Sequence, residues 1–220
     1  MYQVMTLSLA AALGASAACS NAATAGVAPT SAPRLTIVAL GDSLTSGHGI
    51  GRDDAYPAVL ERTLRNAGLP FRVLNHGVSG DTTAGGVRRL VAALNEHPQI
   101  LIVALGANDG LRGVSVGEVR RNLEQMIEAA QAAGLSVLLC GMEAFPIYGW
   151  QYTVDFHRIY PELAAKYGVP LVPFLLDGVV GNETMLQPDM VHPNAAGAKA
   201  IAGNIWPYLQ PIAAALAATN

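Results

Sequence analysis

Four short segments of this chain carry side chains that could do covalent chemistry. Ser43 lies in Gly41-Asp42-Ser43-Leu44-Thr45, directly after the apolar run RLTIVAL. A serine on the turn after a buried strand is exposed at a sheet edge, where its hydroxyl can meet a base and free backbone N–H groups can face an anion. Equally, such a serine could do no more than cap the next helix. Gly80, in Gly77-Val78-Ser79-Gly80-Asp81-Thr82, lets the backbone approach a ligand and offer its N–H, or is an ordinary turn glycine. Asn108, in Gly106-Ala107-Asn108-Asp109-Gly110, can aim its amide at developing negative charge or close a local turn. Asp189 and His192 stand three apart before the last helical stretch. That spacing could put a carboxylate against Nδ1 of the imidazole, fixing the tautomer and turning Nε2 toward a serine, although a lone histidine is more often structural. The other histidines, His48, His76, His97 and His157, are read as structural.

Positioning these groups requires strands that end where the motifs begin. RLTIVAL (34–40), FRVLN (71–75), ILIVALG (100–106), SVLLCG (136–141) and GVPLVPF (168–174) are short, β-rich and apolar, as strands buried on both faces are. Between them the spacing predicts helices over 54–67, 84–96, 115–133 and 153–167, and a last one from about 194 to 210. Ser115 with Glu118 matches a capping box, and Gly68 and Gly134 sit where helices stop. Strand and helix alternate throughout, which argues for an α/β fold: a parallel sheet with helices on both faces and its chemistry in loops at the carboxyl ends of strands.

The 220 residues suit one domain, and composition excludes several classes of function. With a net charge of −3 and no basic stripe, the chain lacks the footprint of a nucleic-acid binder. Arg88-Arg89 and Arg120-Arg121, the adjacent basic pairs, are expected on solvated helix faces. Two cysteines, Cys19 and Cys140, imply no disulfide framework, and Cys140 is expected in a buried strand. No metal or other cofactor is expected, since Asp189 and His192 without a third ligand make a poor metal site. Gly47, Gly49 and Gly51 follow a strand, but Arg52 stands where a dinucleotide fingerprint needs its last glycine. The GxSxG elbow of another hydrolase fold fails at Asp81.

Residues 4 to 18 form an apolar run ending in small residues, too short to span a membrane and suited to an export signal, although no Lys or Arg precedes it. Cleavage after Ala17 or Ala23 would release a soluble protein. Cleavage before Cys19 would leave a lipid anchor there, the second reading. Residues 20–33 are rich in Ala, Thr, Ser and Pro, as flexible tethers are. The expected organisation is an export segment and tether over 1–33, a catalytic domain over 34–213 and a C-terminal tail over 214–220, with nothing that demands more than a monomer.

Taken in order, GDSLT at 41–45, SGDT at 79–82, GAND at 106–109 and DMVH at 189–192 resemble the four blocks of the SGNH subgroup of the GDSL hydrolases. The stretches GVSGDTTAG and GANDGLRG further resemble its arylesterase and thioesterase I branch. The resemblance spans about Leu35 to Leu209 and implies a three-layer α/β/α, flavodoxin-like fold. It implies a triad of Ser43, His192 and Asp189, and an oxyanion hole formed by the N–H groups of Ser43 and Gly80 and the amide of Asn108. Asp42, Asp81 and Asp109 could each have been the orienter on residue type alone; the short Asp189–His192 spacing selects Asp189, and the other three are expected in loop hydrogen bonding. The implied activity is hydrolysis of small ester or thioester substrates, aryl or short-to-medium acyl esters and lysophospholipids among them. Carbohydrate deacetylation uses the same blocks and is the alternative, with a non-enzymatic binding protein behind it. MEAFPIYGWQY (142–152) is expected either to line an acyl or aryl pocket or to pack on its own helix.

Overall fold

The computed structural model describes residues 1–3 and 35–219, so most of the expected export segment, the tether and Cys19 lie outside the described residues. The five apolar runs form one parallel sheet: β1 (Leu35–Gly41), β2 (Phe71–Gly77), β3 (Ile100–Ala104), β4 (Ser136–Cys140) and β5 (Leu171–Val172). Its order is β2-β1-β3-β4-β5. Ile37 to Leu40 and Ile100 to Ala104 are fully buried, as two-sided burial of central strands demands. β5 is shorter than its run because Pro170 and Pro173 flank it and neither can donate to a ladder.

Helices cover the sheet in two layers. α2 (Tyr56–Asn66) packs beside α7 (Ala195–Thr219), while α3 (Thr83–Leu94), α5 (Val116–Ala132) and α6 (Trp150–Tyr167) pack side by side. The capping box forms as expected, Ser115 Oγ accepting the Glu118 N–H. Cys140 is buried at the end of β4. The last helix departs from expectation: it runs through Pro207 and Pro211 to Thr219, so residues 214–219 continue the helix where a tail was expected. Ile201, Ile205, Leu209 and Ala213 are all buried at four-residue spacing. That apolar stripe, with good helix-forming alanines after it, outweighs the two hydrogen bonds the prolines remove.

Two short helices sit at the sheet's carboxyl edge, α1 (Ser43–Ser46) after β1 and α4 (Ala107–Arg112) after β3. In the ladder Gly41 is paired with both Gly77 and Ala104, which aligns the ends of β2, β1 and β3. The chain leaves β1 toward β2 on one side and reaches β3 on the other, so the crevice between the β1 and β3 ends is a topological switch point, the usual ligand position in such sheets. Among the described residues no helix is long and apolar enough to cross a membrane.

Candidate active site

Ser43 is held in that crevice by a network that starts one residue earlier. Asp42, not Ser43, caps α1: its Oδ1 accepts the Leu44 N–H at 3.0 Å. Ser43 is therefore the first residue of the helix, with an N–H that has no intrahelical acceptor. α1 itself is pinned from below, because Thr45 Oγ1 meets the buried Tyr56 hydroxyl at 2.9 Å and Asn75 donates to the Thr45 carbonyl at 2.8 Å. Gly77 permits this approach, since a Cβ there would lie 2.1 Å from the Ser46 nitrogen.

His192, the expected base, comes from the far end of the chain. His192 Nε2 lies 3.1 Å from Ser43 Oγ, and Nδ1 lies 2.7 Å from Asp189 Oδ2. The other oxygen of Asp189 accepts the N–H groups of Val191 and His192 at 3.0 and 2.9 Å. These donors, the imidazole first, hold the Asp189 carboxyl well below the usual carboxylate range. An ionised Asp189 places the proton on Nδ1 and leaves the lone pair on Nε2 for the serine hydroxyl. The loop is shaped by Gln187, whose N–H donates to the His192 carbonyl while its Nε2 donates to the carbonyls of His48 and Pro193. Asn194 then caps α7 by accepting from Ala196 and Gly197.

The residues expected to face an anion lie after β2 and β3, Gly80 in the loop and Asn108 in α4. Gly80 takes φ +79°, a conformation open to glycine at little cost, and Arg112 donates to its carbonyl at 2.8 Å. Asn108 projects from α4, its Nδ2 donating to the Asp81 carbonyl at 2.9 Å and to Asp42 Oδ2 at 3.2 Å. Asp42 is fully buried, and that burial pushes its carboxyl up to about 6 against the pull of the Leu44 and Asn108 donors. Asp109, also buried, accepts the Thr83 N–H at 2.9 Å and hydroxyl at 2.7 Å, tying α4 to the start of α3. All three motif aspartates are thus engaged in loop hydrogen bonds.

One sequence expectation needs correction. Arg89 is not on a solvated helix face. Its guanidinium grips Asp81 Oδ2 from Nε at 2.8 Å and Nη2 at 2.5 Å and donates to the His76 and Gly41 carbonyls. A carbonyl oxygen can accept twice, and the five-donor guanidinium uses this to tie the ends of β1 and β2 to Asp81, the Gly41 carbonyl accepting the Val78 N–H as well. His48, expected to be structural, is exposed and packs against His192, with ring centroids 4.5 Å apart.

A cleft of about 440 Å³ opens beside Ser43, Asn108 and His192. The 142–152 segment gives it Met142, Glu143, Ala144 and Phe145. Ile147, Tyr148 and Trp150 are exposed instead and line no part of it. The opposite wall, which sequence reasoning missed, is Phe174, Leu176, Val179 and Val180 with Met190 and Val191. Its signal was the apolar patch LLDGVV at 175–180. Among the described residues no group of three or more His, Cys, Asp or Glu is arranged to hold a metal ion.

A hydroxyl, an imidazole and a carboxylate in hydrogen-bonded series, beside backbone and amide N–H donors and an apolar cleft, are suited to acyl transfer from an ester. Comparison with known proteins agrees. Residues 39–200 match the model of the GDSL-like lipase/acylhydrolase family. Esterase TesA of Pseudomonas aeruginosa is 40% identical over 178 residues, 80% of this chain and 89% of that protein. An arylesterase of Vibrio mimicus is 36% identical over 71% of this chain and 79% of its own. The crystal structure of TesA superposes with a TM-score of 0.77 over 80% of this chain and 99% of that one, at 40% identity. AlinE4, an SGNH-hydrolase family esterase, gives 0.69 at 41% identity, over 82% and 97% of the two chains. With the strand order, the four motif loops and these matches in agreement, the chain belongs to the GDSL-like lipase/acylhydrolase family.

Proposed function

We propose that this ester hydrolase works through an acyl-enzyme on Ser43, with His192 as general base and then general acid, and Asp189 as its orienter. The observation that carries the reading is the 3.1 Å contact between His192 Nε2 and Ser43 Oγ at the mouth of the apolar cleft. His192 takes the hydroxyl proton as Ser43 Oγ attacks the acyl carbon. The negative oxygen is received by the N–H groups of Ser43 and Gly80 and by Asn108 Nδ2. His192 passes the proton to the departing alcohol or thiol, and water attacks the acyl-enzyme by the same route.

The acyl group occupies the cleft between Phe145 and Val180, which favours aryl or short-to-medium acyl esters, with thioesters and lysophospholipids within the same chemistry. The chain is an exported monomer, carried by the apolar run at residues 4–18, with a lipid anchor at Cys19 as the second form.

The test is hydrolysis of p-nitrophenyl esters from acetate to palmitate, with Ser43→Ala, Asn108→Ala and a chelator beside the parent. Activity should resist the chelator, vanish in Ser43→Ala and fall roughly a hundredfold or more in kcat in Asn108→Ala, the typical cost of one oxyanion donor. Full activity in Ser43→Ala would overturn the assignment.

A further inference from the structure

Asp42 poses a question that capping does not answer. It is fully buried, and its neighbour in the chain is the residue whose attack creates an oxyanion. A carboxylate there places negative charge where more negative charge must develop. The Leu44 N–H alone does not require one, since serine or asparagine caps a helix equally well. What a carboxylate adds is a second acceptor oxygen. Asp42 Oδ1 serves Leu44 at 3.0 Å, and Oδ2 reaches across the crevice to Asn108 Nδ2 at 3.2 Å.

We infer that Asp42 is a positioning residue for the oxyanion hole, fixing the plane of the Asn108 amide so that one of its hydrogens is presented beside Ser43. The inference rests on the assignment of Asn108 to that hole. An amide nitrogen carries two hydrogens. One goes to the Asp81 carbonyl at 2.9 Å, in the loop after β2. The other goes to Asp42, in the loop after β1. Anchors on two separate loops remove rotation about the amide's terminal torsion, which is otherwise broad. The hydrogen on the longer, 3.2 Å bond is the one shared with the oxyanion as charge grows there, while the Asp81 anchor keeps its own. Preorganisation of this kind lets a donor act without reorganising during the reaction.

The test is a double-mutant cycle on one p-nitrophenyl ester with Asp42→Ser, Asn108→Ala and both together. Serine keeps a capping oxygen for Leu44 but is too short to reach Asn108. Asp42→Ser should lower kcat at least about tenfold with KM held within about twofold, because a transition-state donor is misplaced and ground-state binding is not. In the Asn108→Ala background the same change should cost nothing further. Equal losses in both backgrounds would mean that Asp42 acts through α1, and an unchanged or higher kcat would mean that the carboxylate is idle or competes with the oxyanion; each overturns the inference. An Asn108→Ala enzyme with full kcat would remove the oxyanion assignment and this inference with it. An impaired Asn108→Ala enzyme beside an additive Asp42→Ser would sink the inference alone. A thermal melt checks folding, and if Asp42→Ser does not fold, Asp42→Asn carries the same cycle, since its single carbonyl oxygen cannot serve both donors.

Discussion

Holding Asp42 in the interior has a thermodynamic signature that can be measured apart from catalysis. Its carboxyl rises from 3.8 to about 6, burial being the largest cause. A folded-state value above the unfolded one means that between about pH 4 and 6 the native protein binds more protons than the unfolded chain. Stability contributed by this group is therefore lost as pH rises through that window. A rise of about two units corresponds to about 3 kcal/mol once the group is fully ionised in both states. The assay is urea denaturation with linear extrapolation, run from pH 4 to 7.5 on the parent and on Asp42→Asn. Comparing the two cancels distant titrations, including that of Asp189, whose lowered value gives a trend of opposite sign. The parent should lose about 2 kcal/mol relative to the variant between pH 4 and 7, with most of the change between about pH 4 and 6. A difference independent of pH, or one that moves in the parent's favour, would refute the reasoning. It would mean that the Leu44 and Asn108 donors outweigh desolvation and that the carboxylate is stabilised where it lies.

Other perturbations follow from the same geometry. Asp189→Asn should cost on the order of 10⁴-fold in kcat with an unchanged circular-dichroism spectrum, because the imidazole loses the acceptor that sets its tautomer. Gly77→Ala drives a Cβ to 2.1 Å from the Ser46 nitrogen, so α1 must shift. It should lower the melting temperature and kcat together, and a variant that kept both would show that α1 is not pinned from below. Phe145→Ala should weaken kcat/KM for the longest accepted acyl chains by roughly 1–3 kcal/mol of lost apolar contact, about 5- to 150-fold, while Trp150→Ala leaves the chain-length profile unchanged. The reverse pattern in an ester-length series would place the acyl group outside the cleft.

The parts of this fold that could be read in the sequence are those governed by short-range rules. Strands buried on both faces need unbroken apolar runs, so β1 and β3 are plain in the chain, and the motif loops begin where those runs end. Ser115 and Glu118 announce a helix start for equally local reasons. Legibility failed where a distant partner decides. Arg89 looks like half of a surface pair until the register brings the ends of β1 and β2 under its guanidinium. The contact between Asp42 and Asn108 follows only from the pairing of Gly41 with Ala104. The wall from Phe174 to Val191 lies in a long irregular segment after a two-residue strand, where no periodicity marks which side chains turn inward. α7 runs past its expected end near 210 because the stripe from Ile201 to Ala213 that carries it on is a matter of packing with distant partners.

Ser43 and His192 are separated by 149 positions in the chain, and the nearest strands that frame them are parallel, so none is closed by a simple hairpin. Ser43 is placed by β1 and α1, whereas His192 is placed by a separate loop before α7. Until the loop from Gln187 to Asn194 docks beside the crevice, that hydroxyl is an ordinary alcohol with no group to take its proton. An incompletely assembled chain is for that reason chemically silent. Under the proposed mechanism esterolysis requires the two ends of the domain to have met, which makes the onset of activity during refolding a clock for that contact.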